Sequence, residues 1–176
     1  MPERPRPDLD GVRDAMRARD DAPTTPAQQA PPNEEETMRE GVTVAQMDFD
    51  GDERFQTLRR ELGVSSFGIN LIRLRPGQRG RIHRHRRQEE VYVVLAGTLA
   101  LATGDGEEQT LERGAIVRVA PGVRRQLTNR GDEPLVLLAL GGAEPHVGRD
   151  GEAFESWEAT EGRPPQEVPM PPDLPA

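Results

Sequence analysis

An all-β domain, a sandwich or barrel of short strands, is predicted for the middle of this 176-residue chain. Three observations predict it. Short apolar-rich runs with period-two alternation fill residues 66–142. Glycine- or proline-bearing turns separate them at intervals of about 8–12 residues. No long helical pattern interrupts the series, which favours strands folded on one another over alternating strand–helix units.

The elements follow in order. GVTVAQMD (41–48) reads as an N-terminal strand, and ERFQTLRREL (53–62) as one short helix with Phe55, Leu58 and Leu62 on a single face. SFGINLIRLR (66–75) is a strand ended by the turn dipeptide Pro76-Gly77. Residues 80–86 and 90–95 supply the next two strands. Gly97 turns the chain into TLALAT, and Gly104-Asp105-Gly106 closes a hairpin with EEQTLE. AIVRVA, RRQLTN and PLVLLAL complete the set, separated by Pro121-Gly122 and Gly131-Asp132. Phe154 and Trp157, three residues apart, are expected to pin the following segment onto the domain.

Composition sets the boundaries. Thirteen of the 17 prolines lie in residues 1–32 and 164–176, where large apolar side chains are scarce. Ordering such segments costs entropy that burial does not offset. Residues 1–40 are therefore expected to be a disordered acidic, Pro-rich tail and residues 161–176 a second disordered tail, around one domain over residues 41–160. The chain has no cysteine, which excludes disulfides, thiolate metal sites and thiol nucleophiles. No stretch reads as a signal peptide or as an 18-residue apolar span, so a cytoplasmic protein without membrane contact is expected. All 23 basic residues are arginine, and the formal net charge is −8. An acidic total argues against nucleic acid as a partner, since counterion release needs a basic face.

The most informative stretch is GQRGRIHRHRRQEEVYVVLAG (77–97). It carries His83 and His85, two positions apart, and on an extended strand these imidazoles project to the same face. A turn then returns Glu90 on a facing strand. Two imidazoles and one carboxylate supply three ligands of a first-row metal site.

The spacing of Gly77, His83, His85, Glu90 and Gly97 resembles the first motif of the cupin superfamily at every fixed position. ERGAIVRVAPGVRRQLTN resembles the second motif through Gly114, Gly122 and Asn129. Two positions depart: Ala120 stands where a proline is usual, with Pro121 one residue later, and Arg125 stands where the third metal-binding histidine is expected. The resemblance covers roughly residues 66–142. It implies a jelly-roll (double-stranded β-helix) barrel, a homodimer, a small-molecule ligand, and one divalent first-row ion (Fe2+, Mn2+, Zn2+ or Ni2+) with no organic cofactor. His83, His85 and Glu90 would be the metal ligands.

Arg125 alters that expectation, because a guanidinium has no lone pair to offer and stays protonated. At about 5 Å from a divalent ion and an effective dielectric near 20, its repulsion is roughly 7 kcal/mol before screening. Three arrangements are open. Arg125 swings away from a metal held by the other three residues, or it binds an anionic substrate on that metal. In the third there is no metal, and Arg125 pairs with Glu90 as a buried ion pair. Arg81 shares parity with the histidines and is a candidate anion ligand at the mouth. Tyr92 shares parity with Glu90 and is a candidate cavity-lining residue, whereas Arg84, Arg86 and Arg87 read as a solvated strand end. His146 reads as a loop histidine, with a replacement ligand as the less favoured reading. The function the resemblance implies is binding of a small anionic molecule, through a metal-dependent oxygenase or isomerase activity or, alternatively, as a non-catalytic sensor with a decayed site.

Overall fold

The computed structural model describes residues 40–104, 106–143 and 150–175. Its strands are β1 (Phe55–Gln56), β2 (Gly68–Leu74), β3 (Ile82–His85), β4 (Glu89–Ala96), β5 (Thr98–Thr103) and β6 (Glu107–Glu112). They continue with β7 (Ile116–Val119), β8 (Arg125–Thr128), β9 (Leu135–Gly142) and β10 (Gly151–Phe154). One helix, α1 (Leu58–Leu62), follows β1, and a single 3-10 turn spans Pro165–Glu167. Among the described residues, no helix is long and apolar enough to cross a membrane.

The strands form two antiparallel five-stranded sheets, ordered β1-β2-β9-β4-β7 and β10-β3-β8-β5-β6. This is the layered arrangement of a jelly roll, but neither sheet closes into a barrel, which corrects the expectation of a closed one. The edge strands show why. β1 has two residues, β7 has four with Ile116 70% exposed, and β6 carries exposed Glu107, Glu108 and Gln109. Short or charged edges resist further pairing, so the molecule remains a sandwich.

The core lies between the sheets. Leu74, Tyr92, Val94, Leu135 and Leu137 from one sheet meet Leu99, Leu101 and Leu127 from the other. A second cluster, Leu58, Leu71 and Val136, lies under α1 with Ala45 and Met47 packed on it. β2 is thereby buried over Leu71–Leu74, with Arg73 buried among them.

Three elements differ from the sequence expectation. Residues 42–48 join no sheet, and side chains take the place of a ladder: Gln56 Nε2 donates to Gln46 O (2.8 Å) and Gln56 Oε1 accepts from Asp48 N (3.0 Å). Phe55 sits in β1 rather than in the helix, which begins only at Leu58. β10 has no counterpart in the sequence reading; it pairs with β3, placing Gly151 opposite His85 and Ala153 opposite His83. Its Phe154 is buried beneath the Arg124 guanidinium, 3.7 Å from the ring centre.

Residues 161–175, expected as a loose tail, lie against the β3 side of the second sheet. Arg163 and Ala153 exchange backbone hydrogen bonds, Leu174 N donates to Gly77 O (2.8 Å), and Val168 is 3% exposed. Arginines from the β2–β3 region complete the attachment. Arg79 donates to Pro172 O (2.9 Å), and Arg81 Nε to Val168 O (2.5 Å). The segment is held mainly through its carbonyls, a property that apolar content does not report. The N-terminal 39 residues lie outside the described residues.

Asn129 closes the β8 end of the core. It is fully buried, and its Nδ2 donates to Leu74 O and Glu133 O at 2.8 Å while its Oδ1 accepts from Gly131 N. Asn129→Ala leaves the buried Leu74 carbonyl and the Glu133 carbonyl without this donor. A loss of about 2–3 kcal/mol in chemical denaturation is expected; a loss under about 0.5 kcal/mol would show that water replaces the amide.

Candidate metal and ligand site

β3 and β4, joined by the tight turn Arg86–Gln88, bring the three sequence-predicted ligands together. One ligand atom each from His83, His85 and Glu90 lies within 4.8 Å of the others. His83 Nε2 is 3.7 Å and His85 Nε2 3.6 Å from Glu90 Oε2. The two rings stand edge to face, with centroids 5.9 Å apart.

The opposite nitrogen of each ring is tied outward. His83 Nδ1 lies 3.0 Å from Arg81 O, and His85 Nδ1 lies 2.6 Å from Asp150 Oδ1. A carbonyl and a carboxylate only accept, so both Nδ1 atoms donate, and in a neutral imidazole the lone pair is then on Nε2. Two such lone pairs and a carboxylate therefore converge on one point. Three acceptors facing each other without a cation repel, and this donor set fits a divalent first-row ion. Outward partners on imidazole ligands are the usual companions of a metal centre.

A cation already stands on one side of this cluster. Arg125, on β8 directly opposite His83, is completely buried, and its Nη2 donates to Glu90 Oε2. Its Nη1 reaches Val123 O (3.2 Å) and its Nε the Tyr92 hydroxyl (3.4 Å). Tyr92, also fully buried, donates its hydroxyl to the same Glu90 oxygen at 2.5 Å. The resemblance to the second motif put Arg125 at the third-histidine position, and the structure buries it there along with the rest of β8. Of the three arrangements open for Arg125, the structure shows the pair with Glu90; its guanidinium is committed to protein acceptors.

The electrostatics follow. Burial alone would raise the Glu90 carboxyl, but the Arg125 guanidinium paired with it holds it well below the ordinary carboxylate range. Burial pushes the Tyr92 phenol up, and the Glu90 carboxylate adds to that. Burial opposes the charge on Arg125, yet Tyr92 and Glu90 reverse the balance and raise it. At neutral pH the trio is a carboxylate, a guanidinium and an intact phenol.

A cavity of about 180 Å³ adjoins the cluster, lined by His83, Glu90, Tyr92, Arg81, Asn70 and apolar side chains including Ile72 and Leu74. Pro165 and Met170 of the C-terminal segment form part of its wall. Arg81 lines this cavity, and its Nε is engaged by Val168 O. A separate, larger cleft of about 680 Å³ reaches His85 from outside, between Asp150, Glu152 and residues 162–166. Arg84 and Arg86 pair with Glu152, and the Arg86 side chain remains 70% exposed to solvent. His146 lies outside the described residues.

Asp150 was not foreseen. Besides His85, it accepts from Arg87 N (2.8 Å), Gln88 N (2.9 Å) and Gln88 Nε2 (2.6 Å). Burial opposes its charge, but the Gln88 and Arg87 amides and His85 hold its carboxyl at about 2. No local signal in the sequence marks it, because it acts 65 residues from its histidine.

The comparisons with known proteins bear on the fold. The family model of the Cupin domain matches residues 70–141. Glucose-6-phosphate isomerases of Pyrococcus horikoshii and Pyrococcus abyssi are each 36% identical over 66 residues, 35% of this chain and 35% of their own length. The chain thus matches about a third of those relatives. A cupin protein of Bacteroides fragilis superposes with a TM-score of 0.53 at 22% identity, covering 60% of this chain and 86% of that one. A Photorhabdus luminescens protein does so with a TM-score of 0.50 at 18% identity, over 57% and 88%. The chain contains a small cupin-fold domain, with a His/His/Glu cluster able to coordinate a divalent metal.

Proposed function

We propose that this domain binds a small anionic molecule in the cavity beside a divalent first-row ion held by His83, His85 and Glu90. The observation that carries the reading is the convergence of two Nε2 lone pairs and a buried carboxylate beside that cavity. The ion supplies Lewis acidity toward a ligand oxygen. Arg81 supplies positive charge at the cavity wall, Asn70 a neutral polar contact, and Ile72 and Leu74 exclude water. The partial match to glucose-6-phosphate isomerases makes sugar phosphates the first ligands to test and isomerisation the first reaction. Calorimetric titration of Mn2+, Fe2+ and Zn2+ into metal-free protein, followed by sugar phosphates, tests it. Binding of no metal would remove this reading.

A second reading is favoured by one contact, the buried Arg125–Glu90 pair. In it, the guanidinium is the cation of the site and the domain is a metal-free, non-catalytic ligand-binding module. Arg125→His separates the two. It removes the fixed positive charge and offers a third imidazole, so metal binding should tighten about a hundredfold, or roughly 2.7 kcal/mol. Equal affinities for wild type and variant would show that Arg125 does not oppose the metal.

A further inference from the structure

We propose that Asp150 is the positioning residue of the cluster: it fixes His85 as the Nδ1–H tautomer and so presents the Nε2 lone pair to Glu90. Its relevance to a metal rests on the reading above; the tautomer itself does not.

The fold explains how a residue so distant in sequence reaches this imidazole. β10 pairs antiparallel with β3, and Gly151 is the direct cross-strand partner of His85. Asp150 therefore lies one residue before the imidazole's own neighbour, at the end of the ladder where β3 turns toward β4. Its side chain is 5% exposed. The two oxygens divide their work. Oδ2 accepts the amides of Arg87 and Gln88, which holds the turn between His85 and Glu90. Oδ1 accepts from His85 Nδ1 and from Gln88 Nε2. One carboxylate thus sets both the ring's proton and the spacing of two ligands. Among the described residues, His83 Nδ1 meets a backbone carbonyl and no side chain, so the side-chain control falls on His85.

This division makes a near-isosteric change informative. In Asp150→Asn, the single remaining carbonyl oxygen is best used on the two turn amides. The new NH2 then faces His85 Nδ1, which has to accept. The proton moves to Nε2, and the lone pair leaves the cluster. Long-range 1H–15N correlation spectra of the full chain, metal-free and 15N-labelled at histidine, read this directly. Wild type is expected to show His85 protonated on Nδ1, and Asp150→Asn on Nε2. Zn2+ affinity should fall about 10–100-fold with the tautomer, and Asp150→Ala should give a mixed tautomer with an intermediate affinity.

An Nε2–H His85 in wild type overturns the proposal, and that spectrum needs no variant to fold. An unchanged tautomer in a folded Asp150→Asn also overturns it, as does a switched tautomer with unchanged Zn2+ affinity. If wild type binds no Zn2+, Mn2+ or Fe2+, the metal reading falls, while the spectra still decide whether Asp150 sets the ring.

Discussion

Replacing Arg125 with leucine is expected to lower the unfolding free energy by about 3–5 kcal/mol at neutral pH. The guanidinium is fully buried and paired with a carboxylate that is itself only 15% exposed. Its removal leaves Glu90 charged, mostly desolvated, and facing two imidazole lone pairs and one phenol. The pair as a unit contributes far less than its rupture costs, because both ions must be dehydrated to form it. Arg125→Leu combined with Glu90→Gln should therefore recover most of the loss, since the amide oxygen still accepts from Tyr92. The sign with pH is fixed by the depressed carboxyl. In wild type the contribution of Glu90 is present above the unfolded value, about 4.3, and is lost in stronger acid. In the single variant, acid instead relieves an unpaired charge. The gap between the two should therefore begin to narrow above about pH 4.3, where the variant takes up its proton, and keep narrowing in stronger acid. Urea denaturation of wild type, single and double variants at two pH values measures all of this. A double variant less stable than the single one would show that the pair is not the cause.

Gly97→Ala is expected to cost about 3 kcal/mol or more and to lower the melting temperature by roughly 10 °C. Gly97 connects β4 of one sheet to β5 of the other, so the crossing between layers depends on its backbone. Its φ of 71° lies in the left-handed region, and an added Cβ would sit 2.5 Å from Pro134 O and 3.0 Å from Leu135 Cα. Both obstacles are backbone and cannot rotate away. Gly104→Ala provides the control: it shares a positive φ, 64°, with nothing within 4 Å of the added carbon. It should cost only the left-handed conformer, about 1–2 kcal/mol. Equal losses at the two positions in differential scanning calorimetry would mean that the β4–β5 corner yields to the methyl.

What was legible in the sequence follows from the range of each signal. Strand parity put His83 and His85 on one face, and the short turn returned Glu90 to them, because both operate within a few residues. The resemblance to the second cupin motif placed Arg125 at the third-ligand position. It did not show that the guanidinium would use its donors on Glu90, Tyr92 and Val123 O, since that needs the two sheets assembled. Barrel closure was misread for a related reason: alternation identifies strands, while closure depends on which edges find partners. β10 went unrecognised because four residues, GEAF, carry too little pattern beside a Pro-rich segment. Asp150 was invisible because its partners are fixed by that same unrecognised pairing.

The attachment of the last residues has a kinetic consequence. Pro165 and Met170 wall the cavity, yet the segment that carries them joins the sheets through few backbone hydrogen bonds and one deeply buried side chain, Val168. Six prolines between residues 164 and 175 narrow its unbound conformations, which lowers the entropy recovered on release but not the weakness of its grip. Such a segment opens locally long before the strands separate. The dwell time of any molecule beside His83 and Glu90 is then governed by the loosening of this strand-less wall, on a faster clock than global unfolding. Amide exchange at Leu174 outpacing that of the β2–β9 ladder would be its signature.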